Sequence, residues 1–255
     1  MNPTIIGTIV FTCTFGGAML GMWLRTTLPK HHLDADSKKT VELAVGLIAT
    51  MTALVLGLVT ASAKSSFDAV DTAVKQTAVE ILVLDRALAR YGSETSEIRK
   101  GLQHAIGARI DMIWPQDSSK PAELDPMSSG VGSGVERLAA AIRGLKPHDD
   151  SQRALQSQAL DIAEGLLKTR WITLAGIENS IPLPFLLVLL LWLTFIFASF
   201  GLFAPRNAMV IMVLFVCALS VGSALFLVLE MDSPFHGVLK VSAEPLRYAL
   251  AHLNQ

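Results

Sequence analysis

Residues 184–229 have the sequence PFLLVLLLWLTFIFASFGLFA-PRN-AMVIMVLFVCALSVGSALFLVL, in which Arg206 is the single charged residue. A bilayer core of about 30 Å needs about 20 apolar residues in a helix. The stretches Pro184–Ala204 and Ala208–Leu229 both meet this length, and both must be helical because lipid offers the backbone no hydrogen-bond partner. The residues between them are too few to do more than turn the chain, so an antiparallel transmembrane hairpin is predicted.

Two further stretches without Asp, Glu, Lys or Arg, Thr4–Leu24 and Leu43–Ala63, predict a second hairpin near the N-terminus. All 21 basic and 22 acidic residues lie outside the four stretches, which excludes an ordinary soluble enzyme. Cys13 and Cys217 lie inside apolar stretches, which excludes a disulfide-stapled secreted domain. A net charge of −1 gives no basis for nucleic-acid binding, so no nucleic-acid partner is expected.

The sequence therefore predicts an all-α integral membrane protein with four transmembrane helices and a helical soluble insert between spans two and three. Its segments are expected to be a first transmembrane hairpin at 1–63, the insert at 64–182, a second transmembrane hairpin at 183–231 and a C-terminal amphipathic tail at 232–255. In the tail, Ser242 can cap a short helix whose apolar side carries Leu246, Leu250 and Leu253. The tail is expected to lie on the membrane or to dock on the insert.

The insert begins with apolar residues at alternating steps of three and four, the 3.5-residue period of a coiled coil. This heptad face comprises Phe67, Val70, Val74, Thr77, Ile81, Leu84, Leu88 and Tyr91. Since no Gly or Pro interrupts it, span two is expected to continue as one long helix to Gly92, with Ser93 or Thr95 capping the next helix. Further helices are expected at about 98–113, 135–145 and 150–179, with a long loop at 115–134. Asp149 or Ser151 is expected to cap the last of these helices.

Span two carries a stripe of small residues with a charged residue at each end. At 100° per residue, the stripe covers about 80° of the helix surface. It comprises Glu42, Gly46, Ala49, Ala53, Gly57, Thr60 and Lys64. One interpretation is a narrow wall lining an ion path, with Glu42 and Lys64 at its mouths. The other is close helix packing, since small residues let backbones approach each other.

The other spans also carry small residues at helical spacing, and for these we expect helix–helix packing. They are Gly17 and Gly21 in span one, Thr194, Ala198 and Gly201 in span three, and Cys217, Ser220 and Ala224 in span four. No Asp, Glu, Lys, Arg or His lies deep in any span. This argues against an ion-coupled pump, which needs such a group near the membrane midplane. Glu230 and Asp232, at the end of span four, are expected to have a structural role beside Pro234.

The chain contains no Gly-rich phosphate loop, no nucleophile elbow and no paired-cysteine metal motif, so neither a catalytic residue nor a cofactor is expected. The segment 31–36, HHLDAD, is rich in metal-ligand types, but its spacing matches no standard site. Adjacent histidines point apart, and a solvated loop at the membrane interface explains the segment. No metal site is therefore predicted.

Several segments, in order along the chain, resemble the bacterial bestrophin-like domain family of membrane proteins. They are GMWLR at 21–25, LPKHHL at 28–33, LIAT at 47–50, VLGL at 55–58, SSFD at 65–68, FGLFAPRN at 200–207, LEMDSPFHG at 229–237, VS at 241–242 and PLR at 245–247. The family name points to bestrophins, which are pentameric anion channels with a helical cytoplasmic part. Their pore-neck and calcium-clasp motifs are not visible here, so no site residue is carried over from them.

The resemblance implies a bestrophin-like passive ion channel for anions, with span two lining the path and the insert forming a vestibule. The expected partners are the lipid bilayer, inorganic ions and further copies of the chain. The heptad face and the small-residue seams predict a homo-oligomer, and the bestrophin analogy makes it a pentamer. The expected location is the cell inner (plasma) membrane with the insert in the cytoplasm. The alternative is a non-conducting membrane scaffold or sensor whose insert binds a protein partner.

Overall fold

The computed structural model describes residues 2–27, 35–115, 132–177, 181–235 and 237–254; the side chains of 35–37, 132–133 and 169–177 are not described. The regular elements in these ranges are all helical. They are α1 Pro3–Thr27, α2 Ala35–Tyr91, a short 3-10 helix Ser93–Thr95, α3 Ser96–Ile113, α4 Gly132–Arg143, α5 Asp150–Ile177, α6 Leu183–Phe203, α7 Ala208–Met231 and α8 Glu244–Ala251. The all-α class is thereby confirmed. The predicted loop at 115–134 lies almost entirely outside the described residues.

Four of these helices, α1, α2, α6 and α7, are long and apolar enough to cross a membrane, and they contain the four predicted spans. α2 is one uninterrupted helix of 57 residues, as the absence of Gly and Pro after span two predicted. It ends at Gly92, whose φ of 140° is a backbone conformation that favours glycine.

The chain divides into two compact units, which we call the membrane unit and the insert unit. The membrane unit contains Met1–Ser66 and Ser180–Asp232, and the insert unit contains Phe67–Asn179 and Ser233–Gln255. The C-terminal tail therefore docks on the insert, one of its two predicted locations. Leu246 and Leu253 are buried in the insert core, and the Ser242 hydroxyl accepts a hydrogen bond from the Glu244 N–H at 3.1 Å.

In the membrane unit, α1 packs against α6 through small residues, as the sequence predicted. A Cβ placed on Gly17 would meet the backbone and the side chain of Thr194 at 3.0 Å. A Cβ on Gly21 would collide with the Ala198 carbonyl, and one on Gly201 with the Ala18 carbonyl. The two backbones approach so closely that only glycine fits at these positions.

α7 meets α1 through a different seam from the predicted one. Cys217, Ser220 and Ala224 are exposed in the described chain, so their assignment to a helix–helix seam is wrong within one subunit. The residues of α7 that face α1 are displaced by one to two positions. Gly222 lies against Gly7 and Phe11 of α1, and Ala218 is fully buried. A helix that is apolar on every side has no periodicity from which the packed face can be read.

The insert unit has its own core, which the heptad face enters. Ile81, Leu84 and Leu88 are almost completely buried, together with Leu102 and Ile106 of α3, Ile142 of α4 and Ala163 of α5. The heptad face is thus covered by the chain's own helices. Its 3.5-residue period therefore supports neither a coiled coil between subunits nor a homo-oligomer.

Two capping predictions have different outcomes. Asp149 caps α5, since its Oδ1 accepts a hydrogen bond from the Gln152 N–H at 2.6 Å. Thr95 does not cap α3. Its hydroxyl instead donates to the Leu88 carbonyl at 2.6 Å, and it thereby closes the preceding helix. The last carbonyls of an α-helix have no donor within the helix, and the buried Thr95 hydroxyl supplies one of the donors at the end of α2.

Candidate functional site

The membrane half of α2, residues 38–66, presents three different sides. One side faces the rest of the membrane unit: Val45, Thr52 and Ala63 are buried, and Leu56 packs against a cluster of Val10, Leu193 and Leu225. A second side, roughly opposite, carries large apolar residues that are 47–70% exposed. They are Leu43, Leu47, Met51, Leu54 and Leu58. This is the composition expected of a surface that faces lipid.

The predicted stripe occupies the third side, about 80° around the helix from the side that faces the chain. Gly46, Ala53 and Gly57 are exposed, and Ala49 and Thr60 are partly buried at the edge nearest the chain. No described atom lies within 4 Å of a Cβ placed on Gly46 or on Gly57. The stripe therefore does not serve close packing within one subunit, in contrast to the glycines of α1 and α6.

The charged ends of the stripe are also accessible. Glu42 and Lys64 are both exposed, and the Glu42 carboxylate lies 3.7 Å from the ammonium group of Lys38, one turn earlier. An exposed pair of this kind is weak and leaves most of the field of Glu42 in place. Thr60 donates its hydroxyl to the Leu56 carbonyl at 2.7 Å, so its oxygen can still accept.

Arg25, near the C-terminal end of α1, and Arg206, just after α6, have a role that the sequence did not indicate. Arg25 donates from Nη1 to the carbonyl oxygen of Ala204, just after α6. Arg206 donates from Nε and Nη2 to the Met22 carbonyl at 3.2 and 2.7 Å. The two side chains thereby join the ends of α1 and α6. An arginine in the last turn of a helix was the available signal, because helix C-termini attract cations.

The insert unit contains a buried ion pair that sequence analysis also missed. Asp85 of α2 is 1% exposed and accepts two hydrogen bonds from the Arg99 guanidinium, at 2.7 and 2.8 Å. The hydrogen bonds that Arg99 donates to Asp85 raise the pKa of Arg99 above its ordinary value, and partial burial opposes the shift. The backbone N–H of Asn254 also points to Asp85, at 3.4 Å. The pair fixes α3 and the C-terminal residues against α2.

At the end of span four, Glu230 is buried and Asp232 accepts a hydrogen bond from the Ile181 N–H at 3.4 Å. This contact connects the end of α7 to the segment just before α6, which is a structural role. Among the described residues, no group of three or more His, Cys, Asp and Glu is placed to hold a metal ion. The HHLDAD segment lies outside the residues whose side chains are described.

Comparison with known proteins places the chain in a family. The bestrophin-like domain family matches residues 12–246, which is nearly the whole chain and includes spans two to four and the second part of span one. No curated protein and no solved structure matches it. The family match covers the resemblance noted from the short segments at both ends of the sequence. The chain is a membrane protein of the bestrophin-like domain family.

Proposed function

We propose that the protein is a homo-oligomeric passive ion channel for anions, with the stripe on span two lining the path. The observation that carries the proposal is the open third side of α2. Small residues from Gly46 to Thr60 cover that side over about four helical turns. No described atom lies within 4 Å of a Cβ placed on either of its glycines. Membership of the bestrophin-like family favours a channel over an enzyme or a pump.

The three sides of α2 suit a helix at an axis of symmetry. One side packs on its own subunit, the leucine side suits lipid or a neighbouring subunit, and the small-residue side is left for a narrow space. A path lined by Gly46, Ala53 and Gly57 has little side-chain bulk, and its backbone and the Thr60 hydroxyl are the polar groups within reach of an ion. No Asp, Glu, Lys or Arg lies within the apolar stretch, which suits passive flow.

Selectivity in this proposal comes from the mouths, where Glu42 and Lys64 set opposite local fields. The anion preference rests on the family relationship and on Lys64. The pentameric state and the placement in the inner membrane with a cytoplasmic insert extend the same relationship. The seam between α1 and α6 lies within one subunit, so span two is the remaining support for an oligomer.

The direct experiment is halide release from liposomes that contain the purified full-length protein. Ala53→Phe would place a ring in the path and is expected to abolish release. The matched control is Leu54→Phe, one residue further on the leucine side, which should leave release within about twofold of wild type because lipid accommodates the ring. Equal flux in the two variants would contradict the assignment of the path.

Charge reversal at the mouths tests selectivity separately. Lys64→Glu is expected to lower the permeability ratio of chloride to sodium, and Glu42→Lys to raise it, because each changes the local potential at one entrance. The measurement is the reversal potential in asymmetric salt. A ratio that neither variant moves would place the path away from α2, even if wild type conducts.

The second candidate is a non-conducting scaffold or sensor. It is favoured by a groove of about 660 Å³ between α3 and α4 of the insert unit. Apolar Ile98, Ala105 and Met112 line it beside Glu97 and Arg137. A folded oligomer that releases no halide under any voltage would favour this candidate, and a bulky substitution such as Ala105→Trp should then weaken binding of its partner.

A further inference from the structure

The two arginines that join α1 and α6 form a compact positive centre. Met22 and Arg25 are one turn apart on α1, and Ala204 and Arg206 are two residues apart after α6. Each arginine reaches the backbone of the other's segment, so both guanidinium groups lie where the ends of α1 and α6 meet. Each guanidinium has more N–H donors than these contacts use, so both retain donors for a further acceptor.

The charges of the described residues leave this centre positive. The carbonyls at the ends of α1 and α6 contribute about half a negative charge each, against two full positive charges. No carboxylate in the described ranges forms an ion pair with either arginine. α7 begins two residues after Arg206, and a helix N-terminus adds positive rather than negative charge. The centre is therefore suited to an anion that offers several oxygen acceptors, as phosphate does.

The position of the centre identifies the source of the phosphate. Arg25 ends one span, and Arg206 lies between two others. Trp23, two residues before Arg25, is 61% exposed, and an exposed tryptophan at the end of a span lies at the level of the lipid headgroups. Met209, at the start of α7, is 78% exposed and apolar. These neighbours place the two guanidinium groups beside lipid rather than in free solution.

We propose that Arg25 and Arg206 together bind the phosphate of an anionic lipid headgroup. The phosphate accepts hydrogen bonds from both guanidinium groups, while Trp23 and Met209 contact the glycerol and the upper acyl chains. The bound lipid adds a third connection between the ends of α1 and α6 and stabilises the membrane unit. The site does not involve the stripe on α2, so it is independent of conduction.

The test uses the full-length protein in mild detergent, with bound lipid counted by native mass spectrometry. Wild type is expected to bind phosphatidylglycerol more tightly than phosphatidylcholine, whose choline offsets the phosphate charge. Arg206→Gln and Arg25→Gln should each weaken binding of phosphatidylglycerol about tenfold, the effect of losing one charge-assisted contact. The matched control is Lys39→Gln, which removes an exposed positive charge at the start of α2 and should leave binding unchanged.

Three results would overturn the proposal. The first is unchanged binding in both arginine variants, and the second is an equal reduction in the Lys39 control. The third is displacement of phosphatidylglycerol by millimolar inorganic phosphate, which would show that the site takes free phosphate. If the arginine variants do not fold, the wild-type protein alone still tests the proposal. Equal affinity of the wild-type protein for phosphatidylglycerol and phosphatidylcholine would contradict an anionic-lipid site.

Discussion

The two halves of α2 belong to one helix and use their residues in opposite ways. In the membrane half, residues 38–66, Leu47, Leu54 and Leu58 are more than 60% exposed. In the insert half, residues 67–91, Leu84 and Leu88 are almost fully buried. Water forces the second set into a core, whereas lipid accepts the first set as a surface. The apolar residues of the heptad face therefore indicate a protein core, whereas the exposed leucines of the membrane half indicate only contact with the bilayer.

The two halves of α2 also differ in what they indicate about assembly into an oligomer. The heptad face of the insert half has partners in its own chain, so it requires none from another subunit. The stripe of the membrane half has no described contact at Gly46 or Gly57, so the described residues supply no packing partner for its two glycines. The heptad face, which is the stronger pattern in the sequence, thus supports an oligomer less than the stripe does.

The largest expected effect is on the free energy of unfolding, when a carboxylate of the insert half is removed rather than one of the membrane half. Asp85→Ala leaves the Arg99 guanidinium without its buried partner and should lower the free energy of unfolding by about 3 kcal/mol. Glu42→Ala removes only an exposed pair with Lys38 and should change it by less than about 0.5 kcal/mol. The measurement is urea unfolding of the full chain in detergent, followed by circular dichroism. Equal losses would mean that the membrane half is as enclosed as the insert half.

A smaller effect is expected from adding one methyl group to a glycine. Gly201→Ala forces a Cβ onto the Ala18 carbonyl and should destabilise the membrane unit by about 1–3 kcal/mol. Gly57→Ala meets no described atom, and its higher helix propensity should stabilise an isolated subunit by up to about 1 kcal/mol. Thermal unfolding in detergent compares the two. A loss at Gly57 as large as that at Gly201 would show that the stripe is a packing seam between subunits.

The smallest effect concerns Tyr91, the last residue of the heptad face. Burial raises the pKa of Tyr91 above its ordinary value of 10.0, and the nearby charges of Glu94 and Asp149 add to the shift. The folded state therefore keeps a proton that the unfolded chain has already lost above about pH 10, and stability falls as the pH rises beyond that value. Tyr91→Phe should flatten this alkaline decline of the melting temperature. Its hydroxyl has no partner among the described residues, so little is lost at neutral pH.

Much of the fold follows from the sequence because its signals are of two simple kinds. Uncharged stretches of membrane length gave all four spans, and the absence of Gly and Pro after Ala63 gave the continuous α2. Glycine spacing located the seam at Gly21, Ala198 and Gly201, since small residues at one position of every helical turn permit close approach. The charged residues that flank these stretches then defined the insert.

The rest of the fold depends on which residues pack against each other, and a sequence pattern does not identify those packing partners. The heptad face was predicted correctly as an apolar, packed side of α2. Its period does not indicate whether the helices that cover it come from the same chain. The packed side of α7 was misplaced because an all-apolar helix has no polar side as reference. Asp85 and Arg99 are 14 positions apart in sequence and meet only through the turn at Gly92. The sequence predicted the stripe on α2, and the assignment of this stripe to an ion path stays a proposal.

A structure of the purified protein in lipid nanodiscs, resolved for the whole assembly, would show what the stripe on α2 faces. We expect an oligomer in which Gly46, Ala53 and Gly57 of every subunit line one continuous cavity on the symmetry axis, with Glu42 and Lys64 at its two ends. A monomer, or an oligomer in which those residues are covered by a neighbouring helix with no cavity on the axis, would contradict it.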